Sequence, residues 1–182
     1  MPVGDSYLTL TLNKDEDATL QAVARLTLLL VTSLFLVQAQ ASAPDIKARD
    51  IDGTVQNVNQ YIGQGKWTAV VFWAHNCHIC NQEIEQMAFF HDDHAEKNAT
   101  VLGISMDGFN QVEKARGFIN RHELNFPNLL IELSAREFLK FGGGRFVGTP
   151  TFYLYNPEGK LLAKNIGPVS AEDLENFIRS NQ

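Results

Sequence analysis

Cys77 and Cys80 are the only two cysteines in the 182-residue chain, and they stand together as Cys77-His78-Ile79-Cys80. The apolar run before them and the helical periodicity after them set the pair at the mouth of a helix. There the first sulfur faces unpaired backbone N–H groups and the positive end of the helix dipole, which favours thiolate over thiol. The second sulfur, one turn in, is more buried and near enough to close a disulfide without backbone movement. An exposed thiolate beside a resolving thiol carries out thiol–disulfide exchange. A protonated His78 between the two would stabilise the Cys77 thiolate further. Two other chemistries stay open to such a pair. A structural disulfide is one, although a bridge closing so small a loop adds little stability. Half of a zinc site is the other, and it needs a second Cys or His pair. His91 and His94 are nominal partners, but one continuous helix would set them ~16 Å away at 1.5 Å per residue.

The elements that must hold this pair read as alternating strands and helices. Asp52-Gly53 is a turn between short segments at 46–50 and 54–58, an N-terminal hairpin. Trp67 to Trp73 (WTAVVFW) is continuously apolar and β-rich, the pattern of a strand buried on both faces. From Cys77 to about Lys97, Ile84, Met87, Ala88 and His91 recur at helical spacing. Val101 to Ser105 is a second buried strand, and Val112 to His122 a helix. Ala135 to Phe141 is another helix, stopped by Gly142-Gly143-Gly144. Thr151–Tyr155 and Leu161–Ile166 flank Asn156-Pro157-Glu158-Gly159, a hairpin turn by composition. Ser170-Ala171-Glu172-Asp173 is a capping box opening a last helix to about Ile178. The order β-α-β-α-α-β-β-α predicts an α/β domain with a central mixed sheet flanked by helices.

Composition narrows the function. With 45% hydrophobic and 20% charged residues the chain is ordinary globular material, not low-complexity disorder, collagen or a multi-span membrane protein. Fifteen basic against twenty-one acidic residues, net −6, argue against a nucleic-acid partner held by phosphate neutralisation. Leu26 to Val37 (LTLLLVTSLFLV) is uncharged, follows Arg25 and leads into Ala39-Gln40-Ala41. The run is short of the ~20 residues of a membrane span and fits the apolar region of a secretory signal cleaved after Ala41. An uncleaved anchor and a buried core helix are the other readings. The acidic residues 1–24 are unlike the basic start of a signal, which suggests a translation start further downstream. The expected division is residues 1–41 as N-terminal extension and signal or anchor, and residues 42–182 as one domain.

Val71-Phe72-Trp73-Ala74-His75-Asn76-Cys77-His78-Ile79-Cys80 resembles the FWAxWCxxC segment of thioredoxin-like proteins, and Gly148-Thr149-Pro150-Thr151-Phe152 their cis-proline segment. Residues 43–61 are similar to the hairpin lead-in of the exported TlpA/ResA-like branch. Residues 102–126, with VLGISMDG, resemble its added helix–strand block, and residues 152–167 its strand-turn-strand ending. The resemblance implies a thioredoxin-like fold with an N-terminal β-hairpin and a TlpA-type helix–strand insertion. It implies a protein thiol–disulfide oxidoreductase with a redox-active Cys77–Cys80 disulfide, Cys77 attacking and Cys80 resolving, and no cofactor or metal. Pro150 would be cis beside the sulfurs, with Thr149 pairing a substrate strand and Trp73 and His78 lining the substrate surface. Glu83 would match the glutamate of CxxCxxE and exchange a proton with Cys80.

The departures are specific. Asn76 stands where the family has tryptophan, Glu85 where it has proline, and His78-Ile79 fills a CxxC interior that usually carries proline second. His75 and His78 would stabilise the reduced form and so push towards a stronger oxidant. The leading expectation is a periplasmic reductase of protein disulfides, for cytochrome c maturation or thiol repair, supplied by a membrane redox partner. A disulfide-forming oxidant and a Sco-like copper chaperone are the alternatives, since thiolates also suit Cu(I). The PxxxTxxC setting of a thiol peroxidase is absent around Cys77.

Overall fold

A computed structural model describes residues 43–182; the apolar Leu26–Val37 segment and the boundary at Ala41 lie outside the described residues. Among the described residues no helix is long and apolar enough to cross a membrane. Seven strands form one sheet: β1 Lys47–Asp50, β2 Val55–Asn57, β3 Trp67–Trp73, β4 Ala99–Ser105, β5 Asn128–Leu130, β6 Thr151–Tyr155 and β7 Leu161–Ile166. Their order is β2-β1-β5-β4-β3-β6-β7. β3, β4 and β5 run parallel, and the other pairings are antiparallel, so the sheet is mixed. Among the described residues five α-helices accompany it: α1 His78–Glu83, α2 Glu85–His94, α3 Val112–Arg121, α4 Ala135–Phe138 and α5 Ala171–Ser180.

The strand alternation builds two cores, one on each face. Trp67, Ala69, Val71 and Trp73 of β3 meet Ile84, Met87, Phe90, Phe118, Leu174 and Ile178 from α2, α3, α5 and the α1–α2 junction. Val70 and Phe72 point the other way, into a cluster with Leu102, Ile104, Phe138, Phe141 and Tyr153. Burial on both faces is why β3 reads as an unbroken apolar run rather than an alternating one.

Local signals predict the ends of elements well. Asp50 N–H donates to the Thr54 carbonyl across the Asp52-Gly53 turn, and Gly53 takes a φ of 88°. Ser170 caps α5 through reciprocal bonds with Asp173. Two expectations need correction. The helix expected over 77–97 is two segments: Ile84 keeps helical angles, but Met87 N–H bonds back only three residues, to the Ile84 carbonyl. The second segment ends at His94. β5 has no counterpart among the strands expected from sequence, because three residues behind Pro127 carry too little periodic pattern. The Gly142–Gly144 stretch does stop the helical turn before it, with Gly142 at a φ of 82°, and Gly143 lies against Tyr153, where an added Cβ would fall 2.1 Å from the ring Cζ.

Candidate active site

The parallel β3 and β4 end side by side, Trp73 opposite Ser105, and their C-terminal ends carry the loops of interest. Antiparallel pairing of β6 with β3 puts Thr151 opposite Phe72, so the Thr149–Pro150 peptide, which is cis, reaches the same end of the sheet. Pro150 is buried and Thr149 half-buried, and the Pro150 carbonyl accepts from Gly167 N–H.

Cys77 and Cys80 are joined as a disulfide with Cα atoms 5.2 Å apart. Cys77 is half-buried, whereas Cys80 is 1% exposed. Cys77 is the N-cap of α1, and its Sγ accepts from Cys80 N–H at 3.1 Å. Backbone N–H groups thus favour charge on the outer sulfur, although α1 has only six residues to build a dipole.

The loop from Ala74 to Cys77 is held from two sides. Asp107, just beyond β4, accepts His75 N–H at 3.0 and 3.2 Å and meets His75 Nδ1 at 2.7 Å. Ser105 Oγ donates to the same carboxylate at 2.8 Å. From the other side Asn81 Nδ2 donates to the carbonyls of His75 (3.2 Å) and Cys77 (2.8 Å). Asn81 Oδ1 in turn faces His122 Nε2 at 3.1 Å, while His122 Nδ1 faces Glu85 Oε1 at 2.9 Å. Glu85, at the position where the resembled family has proline, therefore helps anchor α1 through His122.

Of the residues singled out from sequence, Cys77 at the N-cap of α1, Cys80 within α1, and Thr149 and Pro150 just before β6 lie towards the same end of the sheet. His78 is exposed at the first position of α1. Trp73 is a correction: it is fully buried, stacked on Phe118 at 4.5 Å, with its indole N–H donating to Asn128 Oδ1 at 3.1 Å. A side chain so enclosed does not line a substrate surface. Glu83 is half-buried and accepts from Gln86 Nε2 at 2.8 Å; among the described residues it makes no hydrogen bond to Cys80. Asp107, Ser105, Asn81 and His122 escaped the sequence reading. The available signal was Asp107's place at the C-terminal end of a buried strand. Among the described residues no group of three or more His, Cys, Asp or Glu is placed to hold a metal ion.

The model of the AhpC/TSA family matches residues 39–164. The chain belongs to the AhpC/TSA family. A relative in Bacillus subtilis (strain 168), named sporulation thiol-disulfide oxidoreductase A, is 27% identical over 142 residues, 77% of this chain and 84% of the relative. The crystal structure of the thioredoxin domain of a Bacteroides vulgatus thiol-disulfide oxidoreductase is similar at 25% identity and TM-score 0.62, covering 80% of this chain and 98% of that one. A thiol:disulfide interchange protein of Chlorobium tepidum shares the fold at 22% identity and TM-score 0.65, over 79% of this chain and 97% of that one. This AhpC/TSA-family chain has the thioredoxin-like α/β fold that its motifs imply, with the mixed sheet flanked by helices. With the Cys77–Cys80 pair on that frame, it is a thiol–disulfide oxidoreductase.

Proposed function

We propose that this oxidoreductase works outside the cytoplasm as a reductase of protein disulfides, with residues 42–182 as its working domain and the segment before them as export signal or anchor. The observation that carries the proposal is the asymmetry of the pair, a half-buried Cys77 sulfur bonded to a fully buried Cys80 sulfur. In the reduced form the Cys77 thiolate attacks a client disulfide; a Cys77–client bond forms and one client sulfur leaves as thiolate. Cys80, losing its proton, then attacks Cys77, closing the intramolecular disulfide and releasing the second client sulfur. Two electrons pass to the client, two protons complete its thiols, and a membrane dithiol partner returns the electrons. Glu83, one turn beyond Cys80, receives the Cys80 proton, and the Thr149–Pro150 backbone aligns the client strand.

A specific contact favours reductant over oxidant. His75 does not stand as a free cation beside the sulfurs, because its ring is taken up by the Asp107 carboxylate at 2.7 Å. Of the two histidines expected to stabilise the thiolate, only the exposed His78 has no such carboxylate partner among the described residues. Equilibration of the Cys77–Cys80 couple against glutathione buffers tests the proposal. A potential below about −220 mV supports a reductase, and one above about −150 mV overturns it in favour of a disulfide-forming oxidant. Copper retained at one equivalent through gel filtration would point instead to metal delivery.

A further inference from the structure

The His75–Asp107 contact lies in the loop that carries the attacking sulfur. The Asp107 side chain is only 4% exposed, and its carboxylate gathers the His75 backbone N–H, the His75 ring and the Ser105 hydroxyl. A buried carboxylate is stable when its charge is compensated and its lone pairs are filled. A ring-nitrogen separation of 2.7 Å is that of a short, charge-assisted hydrogen bond to the carboxylate. The groups facing His75 from elsewhere are Asp107 just beyond β4, with Ser105 at the end of β4 behind it, and Asn81 of α1, itself reached by Arg121 and His122. On its own chain Cys77 and His78 follow. His75 stands two residues before Cys77, a chain span of at most about 7 Å between their Cα atoms, and Asp107 holds that same loop through the His75 N–H and ring.

We propose that His75 and Asp107 form a charge-compensating imidazolium–carboxylate pair that sets how readily Cys77 becomes a thiolate, which makes both of them positioning residues of the exchange reaction. The inference rests on the reading of Cys77 as the attacking sulfur. Together the two charges cancel at the sulfur. Removing either exposes the other, and the two removals act with opposite sign. His75→Gln leaves a lone carboxylate that disfavours the thiolate. Asp107→Asn leaves the imidazole without its opposing charge and favours the thiolate. A merely structural role cannot do this, since loosening the loop from either side would move both variants in one direction.

The test is the rate at which iodoacetamide alkylates Cys77 in the fully reduced protein at pH 6.5, with Cys77 followed by peptide mass mapping. A partly exposed unit charge on the loop that carries the sulfur changes the thiolate population about two- to sixfold. His75→Gln should therefore slow alkylation by that factor, Asp107→Asn should accelerate it, and the double variant should return close to the wild-type rate. Rates that stay at the wild-type value, or single variants that shift in the same direction, overturn the pair. If Asp107→Asn does not fold, His75→Lys carries the test: restoring a cation opposite Asp107 should recover the rate lost in His75→Gln, and a Gln-like rate overturns the proposal. Reduction of a model protein disulfide by the wild-type protein is measured alongside. Its failure would sink the proposed reductase function and leave the alkylation comparison intact.

Discussion

Replacing Gly103 by alanine tests whether the centre of β4 is a load point of the site. Gly103 is paired with Val71 on β3 and Asn128 on β5. A Cβ built there falls 2.0 Å from Asn128 Oδ1 and 2.9 Å from Trp73 Nε1, distances that atoms do not adopt. Asn128 must therefore move. In moving it gives up the indole N–H of Trp73 at 3.1 Å and its own bond to the Phe126 carbonyl at 2.8 Å, both buried. An unpaired buried donor costs about 1–3 kcal/mol, and residual overpacking a further ~1–3 kcal/mol. The loss of glycine's backbone freedom returns about 0.5–1 kcal/mol. The net destabilisation is about 3 kcal/mol. For a domain of roughly 140 residues, with an unfolding entropy near 0.3 kcal/mol/K, that is a fall in Tm of ~10 °C. Gly117, exposed in the middle of α3 with nothing within 4 Å of an added Cβ, is the control. Its replacement by alanine should stabilise by up to about 1 kcal/mol. Urea unfolding followed by tryptophan fluorescence measures both. Should Gly103→Ala lose less than about 1 kcal/mol, the steric argument fails and the Trp73–Asn128 bond has no structural weight.

Three further outcomes follow from the same geometry. Asn81→Ala removes the clamp on the His75 and Cys77 carbonyls and leaves His122 Nε2 without its partner. It should cost about 2 kcal/mol in urea unfolding and accelerate amide hydrogen exchange across residues 75–81, and unchanged protection there would refute the clamp. Ser170→Ala should cost about 1 kcal/mol by deleting the acceptor of Asp173 N–H at the start of α5, with Ser170→Asp restoring most of it in thermal unfolding. Burial pushes His91 below its ordinary 6.5, and its Nδ1 accepts from Val101 N–H at 3.3 Å. The native state therefore resists a proton that the unfolded chain takes up, so the stability His91 confers is present above pH 6.5 and lost as pH falls below it. As pH falls below 6.5, His91→Gln should show a shallower slope of unfolding free energy against pH than the wild type, and parallel slopes would refute this.

What the sequence determined by itself is what neighbouring residues decide. The cysteine spacing, the glycine turns, the Ser170 capping box and the continuous apolar run of β3 are short-range, and they foretold the redox pair, most element ends and a mixed α/β sheet. The thioredoxin-like resemblance added the order of the whole domain from two separate motifs. Tertiary structure alone decided the rest. β5 exists because β4 and β1 offer it edges, not because Asn128–Leu130 has a pattern of its own. The apolar run already read Trp73 as part of a buried strand, against the substrate-surface place the resemblance implied; its partners, Asn128, 55 residues away, and the Phe118 ring, were set only by the tertiary structure. His75 meets Asp107 across 32 residues, and Asn81 meets His122 across 41. No periodicity records such pairs, because a hydrogen bond between distant residues is set by where the strands end, which the chain reaches only once the sheet has assembled.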